Sequence, residues 1–525
     1  MPKMQGNDST ANLGTSISDL PYDVLLSIFT LNADLDQETE TTSPALVTLL
    51  HSSQVCFQWR QIINSTSQLW ASVVDLNLLV LNQGWLEDVL RRSGNSLLAV
   101  KGNNPGFHDM NATCRFFLVL NRLSSKIRHL NIEIQNESRW PIMEEAIWEI
   151  FRRPTPHLET FVLKIPRNCG TGPKRDYRFF DGSAPALRKF VAPTRIDLGT
   201  PWLFHIRELW LSGRVAVDQL LEALPSMSFL EVLNLSNAKL TTRKDIGLRS
   251  AMIHSLKSLY LSINSTPQPY LDFLTHISAP YPVKCELCLT IHTDPWDNDP
   301  AQESTKWQVS TDILCSLPRL CDLANTTMVT LLIAKSRLLL EASHPISGTS
   351  TFEFIENNGG WNDPDMVVEA DLQKVVTALM QSATFSSLHR LSILGLYVPA
   401  ILTGYHHILE RLSTAKILAT NPTILRFLTN LPRSSTSPYI FFPQLQTLEV
   451  QSCRDFEVLA VQSFLRWRLS VGKPIQTIYA VFVEELRPDS MKLLDEFKDL
   501  EKVFKYRLVS SQNRFIDSDT LILSG

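Results

Sequence analysis

Cys285-Glu-Leu-Cys288 has the spacing of a metal-ligand pair, and Cys315, Cys321, His276 and His292 lie within about forty residues of it, so a zinc site is the first chemistry to weigh. The pair sits inside the apolar run Val283 to Ile291, and no second close Cys pair completes a four-ligand set. Buried structural cysteine is therefore the expectation, with no metal. His406-His407 lacks the H-E-x-x-H frame, Gly472-Lys473 lacks the rest of a phosphate loop, and no G-x-S-x-G occurs. No catalytic residue and no cofactor is nominated. Arg167, Lys174, Arg175, Arg178, Arg188, Lys189 and Arg195 form a basic cluster that could grip phosphorylated segments, but such a run reads first as a solvated face.

With no reaction centre, the scaffold carries the argument. The chain has 525 residues, and at roughly 150 residues per domain it starts from a prior of three or four units. Lys+Arg 49 against Asp+Glu 53 gives a net charge of −4, which excludes a global field for nucleic acid or anionic lipid. Hydrophobic residues are 44% and charged residues 19%, so the chain is globular and not disordered. Eight Cys are too few for a disulfide scaffold. The polar start MPKMQGNDSTANLGTS carries no signal-peptide core, and no run of about 18 apolar residues occurs. The expectation is a soluble protein in the cytoplasm and/or nucleus, with no membrane and no nucleic-acid partner.

Two kinds of element follow. In the first, Ile17 to Phe29 reads as a short amphipathic helix with Pro21 in its first turn and Val24, Leu25, Ile28 and Phe29 on one stripe. Leu31 to Pro44 reads as an acidic solvated loop. A second helical pattern runs from Ala45 through Leu46, Leu49, Val55, Trp59, Ile62 and Ile63, and Leu69-Trp70 and Val73-Val74 close the unit. Sixty residues of short helices bury little surface alone, so leftover apolar surface points to a partner. Leu20-Pro21-x-Asp-Val-Leu-Leu-x-Ile-Phe29, then Val55-Cys56-x-x-Trp59-Arg60, then Leu69-Trp70, resembles the F-box motif. The resemblance implies docking on a Skp-family adaptor, and through it on a cullin, with contacts from Leu20, Pro21, Leu25, Ile28, Val55 and Trp59. The connection from Leu31 to Pro44 is longer than is usual in that family.

The second kind of element repeats. Leu256-Lys-Ser-Leu259-Tyr-Leu261-Ser-Ile-Asn264 and Leu445-Gln-Thr-Leu448-Glu-Val450-Gln-Ser-Cys453 fit the leucine-rich repeat frame L-x-x-L-x-L-x-x-N/C. Weaker copies begin at Ile127, Leu158, Ile206, Leu230 and Leu388, and a degenerate one runs from Met328 to Ile333. Spacings of 31 residues (Ile127 to Leu158), 24 (Ile206 to Leu230) and 26 (Leu230 to Leu256) stay near the repeat length. Helical stretches lie between, at Val217–Leu224, Leu271–Ile277 and Leu372–Met380, while Trp296 to Trp307 reads as an acidic loop insertion. Phe464 to Ile475 followed by Ile478 to Phe482 resembles the terminal repeat of fungal F-box proteins with degenerate leucine-rich repeats. Leu486 to Lys505 reads as a closing amphipathic helix.

The expected fold is α/β: a helical F-box, then an irregular leucine-rich-repeat solenoid with parallel strands on its concave side and helices outside. The expected domains are a disordered tail at 1–15, the F-box at 16–75, the solenoid at 76–482 and a cap and tail at 483–525. The function the resemblance implies is that of a non-catalytic substrate receptor of a ubiquitin ligase, whose repeats bind a target protein. The alternatives are an adaptor-bound scaffold outside any ligase and an enzyme with its site in the irregular 265 to 385 region.

Overall fold

The computed structural model describes residues 20–35, 44–104, 110–134, 148–165, 177–193, 196–243, 247–263, 266–293, 308–313, 315–334, 337–358, 385–395, 412–430, 441–482, 488–509, 515–517 and 521–523. The chain divides into two compact units, Met1–Ile206 and Arg207–Gly525.

The first unit opens with helices α1 (Tyr22–Asn32), α2 (Ala45–Val55), α3 (Phe57–Ser65) and α4 (Ser67–Ala71). Pro21 fixes the start of α1 from the N-cap position, where its missing N–H costs nothing. The helix runs on through Leu31 and Asn32, which the sequence had placed in a loop; residues 36–43 of that segment lie outside the described ones. One continuous helical pattern from Ala45 is also split. Cys56 is extended (φ −153°, ψ 170°) and caps α3, its Sγ accepting from the Trp59 N–H at 3.5 Å. Inside the bundle Leu25, Phe29, Leu46, Leu49, Ile63 and Trp70 are buried, and Trp70 donates its indole N–H to the Ile63 carbonyl at 2.8 Å.

A parallel sheet follows directly, in the order β1 (Val74–Asp75), β2 (Leu98–Asn103), β3 (Ile127–Glu133), β4 (Thr160–Lys164) and β5 (Lys189–Val191). Its inward residues Val100, Leu130, Phe161 and Phe190 share one register row. At the next inward row Gly102 stands beside Ile132, because a Cβ there would lie 2.8 Å from the Leu76 Cβ. Phe161 stacks on Phe190 at 5.4 Å and meets Phe179 and Phe180 edge-on. Phe180 and Asp181 take left-handed backbone (φ 58° and 47°), strain of about 1–3 kcal/mol each, and this turn lets two consecutive Phe side chains enter one core.

In the second unit the strands are β6 (Glu208–Ala216), β7 (Val232–Thr241), β8 (Ala251–Met252), β9 (Ser258–Ile263), β10 (Ile277–Ser278), β11 (Lys284–Thr293), β12 (Met328–Ala334), β13 (Arg337–His344), β14 (Gly348–Asn358), β15 (Arg390–Gly395), β16 (Ile417–Thr420), β17 (Thr447–Cys453), β18 (Thr477–Phe482) and β19 (Glu501–Val509). They pair in the order β6-β7-β9-β11-β14-β13-β12-β15-β16-β17-β18-β19. Along this order all pairs are parallel except β14–β13 and β13–β12, and two short strands, Phe515–Asp517 and Leu521–Leu523, pair antiparallel with β19. β8 and β10 form a separate parallel pair. Every copy read from the sequence is a strand, those at Ile127 and Leu158 as β3 and β4 of the first unit and the others in the second, and helices Val217–Ala223 and Gln268–His276 lie where the periodicity put them. The architecture, a helical region followed by largely parallel strands with intervening helices, is that of a leucine-rich-repeat-like solenoid. The second residues of successive frames also pair across strands: Glu231 meets Lys257 at 2.8 Å and Arg207 at 3.8 Å.

Two corrections stand out. The degenerate copy at Met328 is one arm of an antiparallel meander, β12-β13-β14, inserted between the parallel strands β11 and β15. The closing helix read over Leu486 to Lys505 exists only as Pro488–Lys492; Val503 and Phe504 lie in β19, which continues the parallel sheet. Leu372–Met380 and Trp296–Trp307 lie outside the described residues. One buried charge was not anticipated. Arg468, in helix Val458–Ser470, is fully buried and donates to the carbonyls of Phe441, Phe442 and Leu445 at 3.0, 3.2 and 3.3 Å. Burial pushes its pKa down to about 10, so it stays protonated at neutral pH.

Candidate functional site: an apolar surface on the helical bundle

Helices α1 to α3 cross so that one side of each packs inward and the rest faces solvent. Of the six residues singled out in the sequence, Leu25 is 0% exposed and holds the bundle from within. Trp59 is half-buried, its ring edge-on to Phe29 at 5.0 Å and 72°, and its indole nitrogen has no partner among the described residues. Leu20 and Ile28 are half-buried, Pro21 is exposed, and Val55 is 61% exposed.

The exposed apolar set is larger than the motif suggested. Phe57, just past the Cys56 break, is 77% exposed, and Tyr22, Val24 and Leu31 on α1 are exposed as well. Of the apolar stripe read from the sequence, the structure turns Val24 outward and keeps Leu25 and Phe29 inside. The break at Cys56 is the local cause at α3. A continuous helix would keep Val55 and Trp59 on one face, whereas the extended residue between α2 and α3 turns Val55 and Phe57 to solvent and Trp59 toward Phe29. A single exposed apolar side chain is ordinary, but several on sixty residues that bury little are surface suited to a protein partner.

The other candidates do not assemble into a reaction centre among the described residues. Cys285 and Cys288 are three apart on β11, so their side chains leave opposite faces of the strand; Cys285 is buried. No group of three or more His, Cys, Asp or Glu that could hold a metal ion occurs among the described residues. The hydrogen bond with Cys285, and then burial, push the Cys321 thiol well above its ordinary value, as in an inert core cysteine. In the basic cluster Arg178 faces Asp197 at 3.8 Å and Arg188 donates to the carbonyls of Pro185 and Leu187, while Arg167, Lys174, Arg175 and Arg195 lie outside the described residues. His406-His407 lies outside them too. A cavity of about 320 Å³ lies between the end of α1, α4 and strands β2 to β4. Its polar groups are tied into the fold: Lys101 donates to the Leu35 carbonyl at 3.2 Å, Arg128 pairs with Glu159 at 2.9 Å, and His129 bonds Thr160 at 3.1 Å. No helix among the described residues is long and apolar enough to cross a membrane.

Comparison with known families matches residues 17–75 to the F-box-like family. The matched stretch covers α1 to α4 and ends at β1, where the parallel sheet begins. No curated protein matches the chain.

Proposed function

We propose that this protein is a substrate-recognition subunit of a cullin-based ubiquitin ligase. Its F-box-like domain docks on a Skp-family adaptor, and its repeat unit holds a target protein within reach of a ubiquitin-conjugating enzyme. The observation that carries the reading is the outward apolar set, Val55 and Phe57 with Tyr22 and Val24, on a domain that matches the F-box-like family. In this reading Leu20, Pro21, Ile28 and Val55 contact the adaptor, joined by Phe57, while Leu25 and Trp59 hold those residues in place from beneath.

The F-box-like family implies a non-catalytic role. The protein's contribution to rate is then proximity, which turns a bimolecular encounter between target and loaded enzyme into an effectively intramolecular one. The test is co-purification with adaptor and cullin. A Leu20→Ala/Pro21→Ala variant loses the adaptor while keeping its circular dichroism spectrum; retained binding sinks the reading. An adaptor-bound scaffold outside any ligase is separated by the target, which accumulates and loses its ubiquitin on gene removal only in the ligase case.

A further inference from the structure

Strand register places one residue of every repeat in a single row on the outward face of the second unit's sheet. From β6 to β18 that row contains Trp210, Tyr260, Glu286, Glu341, Glu449 and Tyr479, with Asn234, Thr351, Thr330, Ser392 and Ala419 between them and no basic residue; Asn234, Ser392 and Ala419 are buried, so the accessible stretch around Glu341 runs from Tyr260 to Thr330. Two of the three row carboxylates already carry a cation from the row two residues earlier. The Lys284 ammonium lies 2.7 Å from Glu286 and 5.8 Å from the centre of the Tyr260 ring, and the Arg390 guanidinium lies 2.5 Å from Glu449. The middle carboxylate, Glu341 on β13, is half-buried and forms no ion pair among the described residues. Adding that earlier row, which holds Glu208, Lys284 and Arg390, leaves four acidic groups against two basic ones.

Lys284 shows what this face accepts: a cation held between a carboxylate and an aromatic face one strand apart, at the roughly 4.8 Å strand spacing. Glu286 and Glu341 are two strands apart, about 9.6 Å at that spacing. An extended polyproline-type segment presents every third residue on one side at about 9.3 Å. We propose that this row docks a Lys/Arg-bearing extended segment of a target protein, one cation reaching Glu341 and its neighbours lying along the aromatic and carboxylate positions beside it. This names the class of target for the receptor proposed above and rests on that reading. An acidic segment or a nucleic acid would bring like charge to the row.

The test uses the full chain and two fluorescein-labelled peptides, one with Lys at every third position and Pro between, the other with Glu in place of Lys. Fluorescence anisotropy is read for the wild type, for Glu341→Lys, and for Glu222→Lys, which makes the same charge change at an exposed position on helix Val217–Ala223. The Lys peptide binds the wild type and the Glu peptide does not. Glu341→Lys weakens binding about fivefold or more, the scale of one partly screened ion pair turned repulsive, while Glu222→Lys changes it less than about twofold. Equal loss in both variants means net charge alone draws the peptide and overturns the proposal, as does tighter binding of the Glu peptide or of a single-stranded oligonucleotide. A wild type that binds no Lys peptide but still binds the adaptor overturns this inference alone. Lost adaptor binding with the peptide retained strikes the receptor reading instead.

Discussion

The two surfaces assigned to partners are built from opposite materials. On the helical bundle the outward groups are Val55, Phe57, Tyr22 and Val24, with little charge among them. On the second unit's sheet the row holds three carboxylates and three aromatics among small residues, and its cations lie one row away, already paired. The difference follows from the elements. Short helices cannot bury all their apolar residues, so the excess stays outside. A strand sends alternate residues to opposite faces, so the leucines are all spent inward and the outward row is free to carry charge. A bundle surface of the first kind binds through buried area, with little dependence on salt. A row of the second kind selects by charge, and its binding weakens as salt rises.

The sharpest way to break this contrast is to attack what holds each surface up. Leu25→Ala removes a fully buried side chain from under the apolar set and costs about 2–5 kcal/mol of the first unit's stability, read by chemical denaturation. A loss near zero would mean that the bundle interior is not where it is placed here. Arg468→Gln leaves three buried carbonyls short of a donor and costs roughly 2–3 kcal/mol in the same measurement. Leu25 lies within the F-box-like stretch and Arg468 outside it, so Leu25→Ala weakens adaptor binding, whereas Arg468→Gln leaves it unchanged. Smaller again is Phe57→Ala, which lowers adaptor affinity by about 1–2 kcal/mol, the scale of a central aromatic contact, with no change in binding of the Lys peptide. The smallest effect is of salt. Shortening the screening length from about 10 Å at 0.1 M to about 3 Å at 1 M weakens the Lys peptide several-fold and leaves the adaptor contact nearly unmoved. Equal salt dependence of the two would erase the contrast.

How much of this was legible in the sequence depended on periodicity. L-x-x-L-x-L located β9 and β17 outright, and the weaker copies at Ile127, Leu158, Ile206, Leu230 and Leu388 also became strands, because the pattern of inward leucines is itself the strand's two-residue period. The meander β12-β13-β14 was missed for the complementary reason. Leu331 to Ala334 and Leu338 to Leu340 are unbroken apolar runs either side of Lys335-Ser-Arg337, and a run without alternation says neither which way a strand runs nor which strand it pairs with. The closing-helix reading failed at Val503 and Phe504, whose mixed neighbours fit either period until the sheet edge at β18 offered backbone partners. The motif fell within the stretch matched to the F-box-like family, and burial divided its residues. Leu25 lies inside, Val55 outside, and Phe57 was overlooked because its exposure depends on the extended backbone at Cys56, which no residue spacing reveals. The row centred on Glu341 was likewise invisible, since register across strands distant in sequence exists only in the folded sheet.

The most direct test of the central claim is calorimetric titration of a purified Skp-family adaptor into the full chain and into a Val55→Asp/Phe57→Asp variant, both surface positions whose exchange leaves the core untouched. The account predicts tight binding by the wild type and a loss of about a hundredfold or more in the folded variant, as two desolvated anchors become charged. Unchanged affinity in a folded variant, or no binding by the wild type, would contradict it.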